Sequence, residues 1–262
     1  MQRVTVIINY CSNERPFLGA CIEQCARFAS EIIVSFGSKL YSGADEDFAH
    51  IADMQKKYPF VKFVQYPVDI TIDLKTQKGV VNRPHAYWHN LARWAGVHTQ
   101  IAKEWVLFLD VDEIPDGDRF LFWLQTHQLD AACTYKLANY WYFKKPIFQA
   151  KTWEDTAVLA HANLLNENAV FGDAERDQIF AASQKHKYRY VLGNDFQPMI
   201  HHYSWVRTPE QMLFKLKNWG HQTDFQNHEQ MVAHVFKDHN VNDIVHNYQY
   251  QQVQNEFNIV VG

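Results

Sequence analysis

An α/β fold with a mostly parallel sheet flanked by helices is the architecture this chain predicts, and three observations predict it. Apolar, β-prone runs alternate with helical stretches from Val4 onward, an order that implies parallel strands joined by right-handed crossovers. The fourth such run, Trp105 to Leu109, is apolar throughout, as a strand buried on both faces must be. That run switches abruptly to Asp110, Asp112 and Glu113, at the strand end where open α/β sheets bind ligands.

Val4–Ile8 is a first strand, closed by Asn9, Tyr10 and a polar turn through Ser12, Asn13 and Glu14. Pro16 can start a helix, along which Phe17, Leu18, Cys21, Ile22 and Cys25 keep helical spacing. Glu31–Phe36 is a second strand with Gly37-Ser38 as its exit, and a helix from Asp45 to Lys57 is bounded by Pro59. Val61–Tyr66 is a third strand. Val68–Val81 reads as a loop, and Pro84–Ala102 as a long helix leading into the acidic-ended strand.

The character changes after Asp112. Phe120–Leu124 is helical, Ala131–Phe143 alternates like an exposed-face strand, and Ala157–Ala160 can pair with it, giving a small antiparallel portion. A polar stretch leads to Gly172–Asp177, and Gly193-Asn194 marks a turn. His201–Trp205 is dense in His and aromatic residues, and Pro209–Trp219 and His228–Phe236 are closing helices. With no repeat or linker, one domain over 1–262 is expected, made of halves 1–115 and 116–262.

Composition narrows the function classes. At 47% hydrophobic and 15% aromatic the chain can build a sizeable core, which argues against disorder. A net charge of -4 gives no electrostatic case for nucleic acid or an anionic membrane. Four cysteines without a C-x-x-C pair make neither a zinc site nor a disulfide framework. No apolar stretch approaches the roughly 20 residues that span a bilayer, no signal segment precedes the first strand, and no N-x-[ST] acceptor occurs. These features together predict a cytoplasmic protein.

Asp110, Asp112 and Glu113 crowded at one strand end would repel one another unless a cation sits among them. Oxygen ligands in that number favour Mg²⁺ or Mn²⁺. The plainer alternative is a strand followed by a solvated acidic turn through Pro115, Asp116 and Gly117.

The chain resembles GT-A glycosyltransferases of the family-two type. An Asp-x-Asp ending a buried strand after a β/α half carries the likeness. Asn9, Tyr10, Asn13 and Glu14 after the first strand, Ser35 to Ser38 at the second, and Arg93 to Gly96 before the metal strand continue it in order. It departs where Ser35 and Phe36 replace acidic base-reading residues and where Trp94 follows Arg93, which leaves the nucleotide open. The resemblance implies Mn²⁺ or Mg²⁺ bound by Asp112, with Asp110 on the ribose or metal and Val111 beside them. Glu113 stands behind these two, and His202, rather than His201, completes the ligand set. It implies a UDP-, GDP- or dTDP-linked donor held by Asn9, Tyr10, Asn13, Glu14, Ser35, Gly37 and Arg93. Arg83, Arg93 and Arg207 are the phosphate candidates, and for each of them a surface ion pair is the alternative.

Transfer with inversion to a saccharide or other hydroxyl acceptor needs a general base. Glu175 and Asp177 fit the family's position for it, with Asp155, next to Glu154, as the rival. Two other classes use the same residues. A haloacid-dehalogenase-like phosphatase would take Asp110 as nucleophile and Asp112 as acid/base, with Gly172–Asp177 as its metal motif. An inactive sugar-binding relative would keep the pocket without turnover.

Overall fold

The computed structural model describes residues 2–71, 84–99, 104–172, 174–218, 227–237, 243 and 245–262. One sheet runs through both stretches of the chain. Strands β1 (Val4–Tyr10), β2 (Glu31–Gly37), β3 (Lys62–Tyr66) and β4 (Trp105–Asp110) are mutually parallel in the order β3-β2-β1-β4. Helices α1 (Arg15–Cys25), α2 (Phe48–Lys57) and α3 (Pro84–Thr99) connect them. β1, β2 and β4 are buried on both faces, as their composition requires, whereas β3 at the sheet edge is only half-buried. Leu107 and Leu109 enter one hydrophobic cluster with Val6, Ile8 and Val34, while Val106 and Phe108 enter another with Ile7 and Ile33.

Local chemistry sets the helix boundaries. Asp47 caps α2 by accepting from the backbone N–H of His50 at 3.0 Å, and Lys56 and Lys57 lie in its last turn, where they complement the helix dipole. The same device starts α4 (Gly117–Thr126), where Asp116 accepts from the N–H of Arg119.

Beyond β4 the sheet becomes mixed. The short β5 (Glu113–Pro115) lies at the far edge, after β7 (Lys145–His161), β6 (Thr134–Phe143) and β9 (Ile200–Trp205), in the order β4-β7-β6-β9-β5. β8 (Lys187–Val191) pairs with β6, and β10 (Tyr250–Gln252) with β7. The expected pairing of 157–160 is present, with Thr134 opposite Ala160. The exposed-face expectation for β6 is corrected: nine of its ten residues are buried, all but Tyr140. Its neighbours lie between two clusters, Leu137 and Tyr142 turning to one and Trp141 and Phe143 to the other. Alternation therefore marks two buried faces here, not one. Helices α5 (Glu167–Val170), α6 (Arg176–Ala181), α7 (Pro209–Asn218) and α8 (His228–Phe236) complete the chain. Among the described residues no helix is long and apolar enough to cross a membrane.

Gly96 shows how tightly α3 sits on β1. A Cβ there would stand 2.6 Å from Cγ2 of Ile7, inside van der Waals contact. Gly96→Ala should therefore cost about 1–2 kcal/mol. Overpacking of about 1–3 kcal/mol outweighs at most about 1 kcal/mol of gained helix propensity. Thermal denaturation checks it, and an unchanged or raised midpoint would mean that the helix can shift.

Candidate active site

A cavity of about 370 Å³ opens at the carboxyl ends of β1 and β4. Asn9 and Asp110 stand opposite each other across those strands, and both line the cavity. Tyr10, Asn13 and Glu14 join them from the turn after β1. Asp112 follows β4, and its carbonyl accepts from the N–H of Tyr203 at 2.8 Å. That bond and the register of Glu113 opposite His202 bring β9 alongside the acidic turn. Neighbouring histidines on a strand face opposite ways. His201 turns away, bonded to the hydroxyl of Tyr142 at 2.8 Å, and burial pushes its pKa down to about 3. His202 lines the cavity with Nε2 3.7 Å from Oδ1 of Asp112.

The crowded carboxylates have the protein's own cations among them, which the sequence did not predict. Asp112 Oδ2 accepts from Lys215 Nζ at 2.7 Å and from Arg207 Nη2 at 3.3 Å. Glu14 Oε1 contacts the same two groups, each at 2.8 Å. Asp110 is paired with Arg93 at 3.3 Å and Arg176 at 3.2 Å. Glu113 is fully buried, bonded to Arg176, and accepts from the N–H of Asp110 at 2.9 Å. Burial alone would raise both aspartate pKa values. The charges of Arg176 and Arg93 override it at Asp110, which is held well below the usual carboxylate range. At Asp112 burial is overridden by Lys215, His202 and Arg207, leaving a pKa of about 2.

Glu175, just before α6, also lines the cavity. Its carboxylate lies 3.2 Å from His89 Nδ1 and 3.3 Å from Arg93 Nη1, two residues four apart on one face of α3. Its backbone has φ 49° and ψ -121°, a conformation that costs a side-chain-bearing residue of order 1–3 kcal/mol. Trp141, Trp205, Val245 and His246 add an aromatic and apolar wall.

Other sequence candidates lie elsewhere. Asp177 pairs with Lys136, and Asp155 is buried against Arg189 at 2.6 Å; neither lines this cavity. Ser35 and Val111 are buried, Ser35 with a hydroxyl that has no hydrogen-bond partner among the described residues, and Gly37 ends β2; none of the three lines the cavity. Arg93 stands behind the cavity and holds Asp110 and Glu175. Arg83 and Asp173 lie outside the described residues. Of the two aspartates in the phosphatase metal motif, Asp177 is exposed and engaged with Lys136. Sequence reasoning missed Lys215, Arg176, His89 and Trp141. Only Arg176 carried a signal, lying inside the acidic run chosen for its carboxylates.

Among the described residues no three His, Cys, Asp or Glu side chains are gathered so as to hold a metal ion by themselves. Mg²⁺ commonly takes only one or two carboxylates and completes its shell with substrate phosphates and water. Asp112 and His202, adjacent on the cavity wall, fit that smaller requirement.

No family model matches the chain, and no curated protein matches it by sequence. Among solved structures it is similar to the mannosyltransferase PcManGT from Pyrobaculum calidifontis in complex with GDP-Man and Mn²⁺. The identity is 9% and the TM-score 0.45, over 89% of this chain and 68% of that one. It is also similar to the glycosyltransferase GlyE from Streptococcus pneumoniae TIGR4, with 10% identity and TM-score 0.39 over 90% and 64%. A third is glucosyl-3-phosphoglycerate synthase from Mycobacterium tuberculosis in complex with Mn²⁺, UDP and phosphoglyceric acid, with 12% identity and TM-score 0.35 over 63% and 57%. Likenesses this loose carry no argument about chemistry, and the chain spans only about three-fifths to two-thirds of these proteins.

Proposed function

We propose that the protein is a metal-dependent glycosyltransferase of GT-A type. It would transfer a sugar from a UDP-, GDP- or dTDP-linked donor to a saccharide or other hydroxyl acceptor with inversion. The observation that carries this is the set of groups that line one cavity at the ends of β1 and β4. Asp112 and His202 stand there beside Lys215 and Arg207, a setting for a metal ion and a diphosphate. Glu175, held on His89 and Arg93, lines the same cavity and is the carboxylate in it that would serve an acceptor.

Asp112 and His202 would hold Mn²⁺ or Mg²⁺, which when bound supplies charge neutralisation to the departing diphosphate. Lys215 adds fixed positive charge beside it. Asn9, Tyr10, Asn13 and Asp110 line the donor end. Glu175 takes the proton of the acceptor hydroxyl.

Thermal-shift measurement with UDP, GDP, dTDP and their sugars, each with and without Mn²⁺, tests the reading. A ligand binding only the folded state stabilises it by about 2.7 kcal/mol at a hundredfold excess over Kd. Stabilisation by one of these nucleotides only with Mn²⁺ is the expected result. Indifference to all of them, with turnover of simple phosphate esters, would favour the phosphatase.

A further inference from the structure

Lys215 reaches the cavity from the end of α7 with a side chain only 6% exposed. Its Nζ donates to Asp112 Oδ2 at 2.7 Å and to Ser204 Oγ at 3.1 Å, and lies 2.8 Å from Glu14 Oε1. An ammonium group is a compact point charge, and here it occupies the space between two carboxylates that a hard cation would otherwise take. Arg207 touches the same two carboxylates. Among the described residues, two negative charges therefore already face two positive ones.

A divalent cation arriving alone meets a balanced site. To use Asp112 it must take a carboxylate oxygen away from Lys215 and leave a buried ammonium short of a partner, which is costly. A diphosphate arriving with the metal changes this, because its negative charge gives Lys215 a new partner as Asp112 turns to the metal. We propose that Lys215 is a resident counter-cation: it holds Asp112 and Glu14 together in the unloaded site and makes divalent-cation binding depend on a diphosphate arriving with it. The proposal rests on the assignment of Asp112 as metal ligand made above.

The test is Mn²⁺ titration, followed by the electron paramagnetic resonance signal of free Mn²⁺ and by melting temperature, with inorganic pyrophosphate as the anionic probe. The wild type should bind Mn²⁺ alone weakly and melt higher only when Mn²⁺ and pyrophosphate are both present. Lys215→Met leaves Asp112 and Glu14 opposed by Arg207 without the ammonium between them and should bind Mn²⁺ alone on the order of tenfold more tightly or better, whereas Lys215→Arg, which keeps the charge, should behave like the wild type. Equal Mn²⁺ affinity in wild type and Lys215→Met overturns the proposal. If Lys215→Met fails to fold, the wild type decides alone: an equal rise in melting temperature with Mn²⁺ and with Mn²⁺ plus pyrophosphate overturns it. A gain in Lys215→Met that survives added Asp112→Asn overturns the metal-ligand assignment as well. None of these measurements uses a nucleotide sugar, so a failed donor screen and a failed counter-cation test are separate results.

Discussion

Asp112→Asn should cost about 2–3 kcal/mol of folding stability at pH 7 and weaken Mn²⁺-dependent donor binding on the order of a hundredfold. Sequence alone points the other way for stability, since relief of repulsion among Asp110, Asp112 and Glu113 would favour the metal-free fold. The structure reverses the sign. Asp112 is 2% exposed and opposed by Lys215 and Arg207. Among the described residues, removing its charge leaves Lys215 and Arg207 with Glu14 as their shared carboxylate, and breaking a buried pair in this way costs about 3–5 kcal/mol. Asparagine still offers Lys215 an acceptor, which places the expectation at the low end.

The pKa gives a similar size. Lowering it from 3.8 to about 2 is worth about 2 kcal/mol. Because the folded value lies below the unfolded one, this contribution is fully present above pH 4 and is lost as pH falls toward 2. Asp112→Asn should therefore flatten the acid limb of the stability profile in that window. Denaturant melts between pH 2 and 7 read both effects, and a variant more stable than wild type at pH 7 would restore the repulsion picture. The binding loss follows from the proposed role of Asp112 as a metal ligand, since even outer partners of metal ligands cost about 10–100-fold.

The sequence displayed what depends on neighbours along the chain. Trp105 to Leu109 reads as a doubly buried strand because its apolar side chains run without interruption, and it is one. The opposed facing of His201 and His202 follows from strand alternation. Hidden from view was whatever depends on long-range return of the chain. Lys215 lies 103 positions from Asp112, and Arg207 193 from Glu14. On a helix that also carries Glu210 and Lys217, a lysine at 215 is indistinguishable by pattern from a solvated charge. The carboxylates were legible as a cluster, but their compensation was not, because opposite charges are recruited in space. Asp155 shows the converse: beside Glu154 it resembled a candidate base, yet two hydrogen bonds from Arg189 occupy it away from the cavity.

Glu175→Gln should leave Mn²⁺-dependent donor binding intact while lowering kcat by about 10²- to 10⁴-fold, the usual worth of a general base. Of the three candidate bases only Glu175 lines the cavity, and its neighbours fix it there: His89 and Arg93 donate to one oxygen, and the chain accepts a positive φ to deliver it. Glutamine preserves size and can still accept from Arg93, which keeps its second partner Asp110, so folding should change little. What glutamine cannot do is take a proton. A base acts on the acceptor and not on the diphosphate, so the loss belongs in kcat at saturating donor, with donor Kd unmoved. If Glu175 instead serves only to clamp Arg93 against Asp110, Gln should weaken donor binding and spare kcat. Steady-state kinetics alongside donor titration separates the two, because a proton acceptor and an electrostatic clamp move opposite members of that pair.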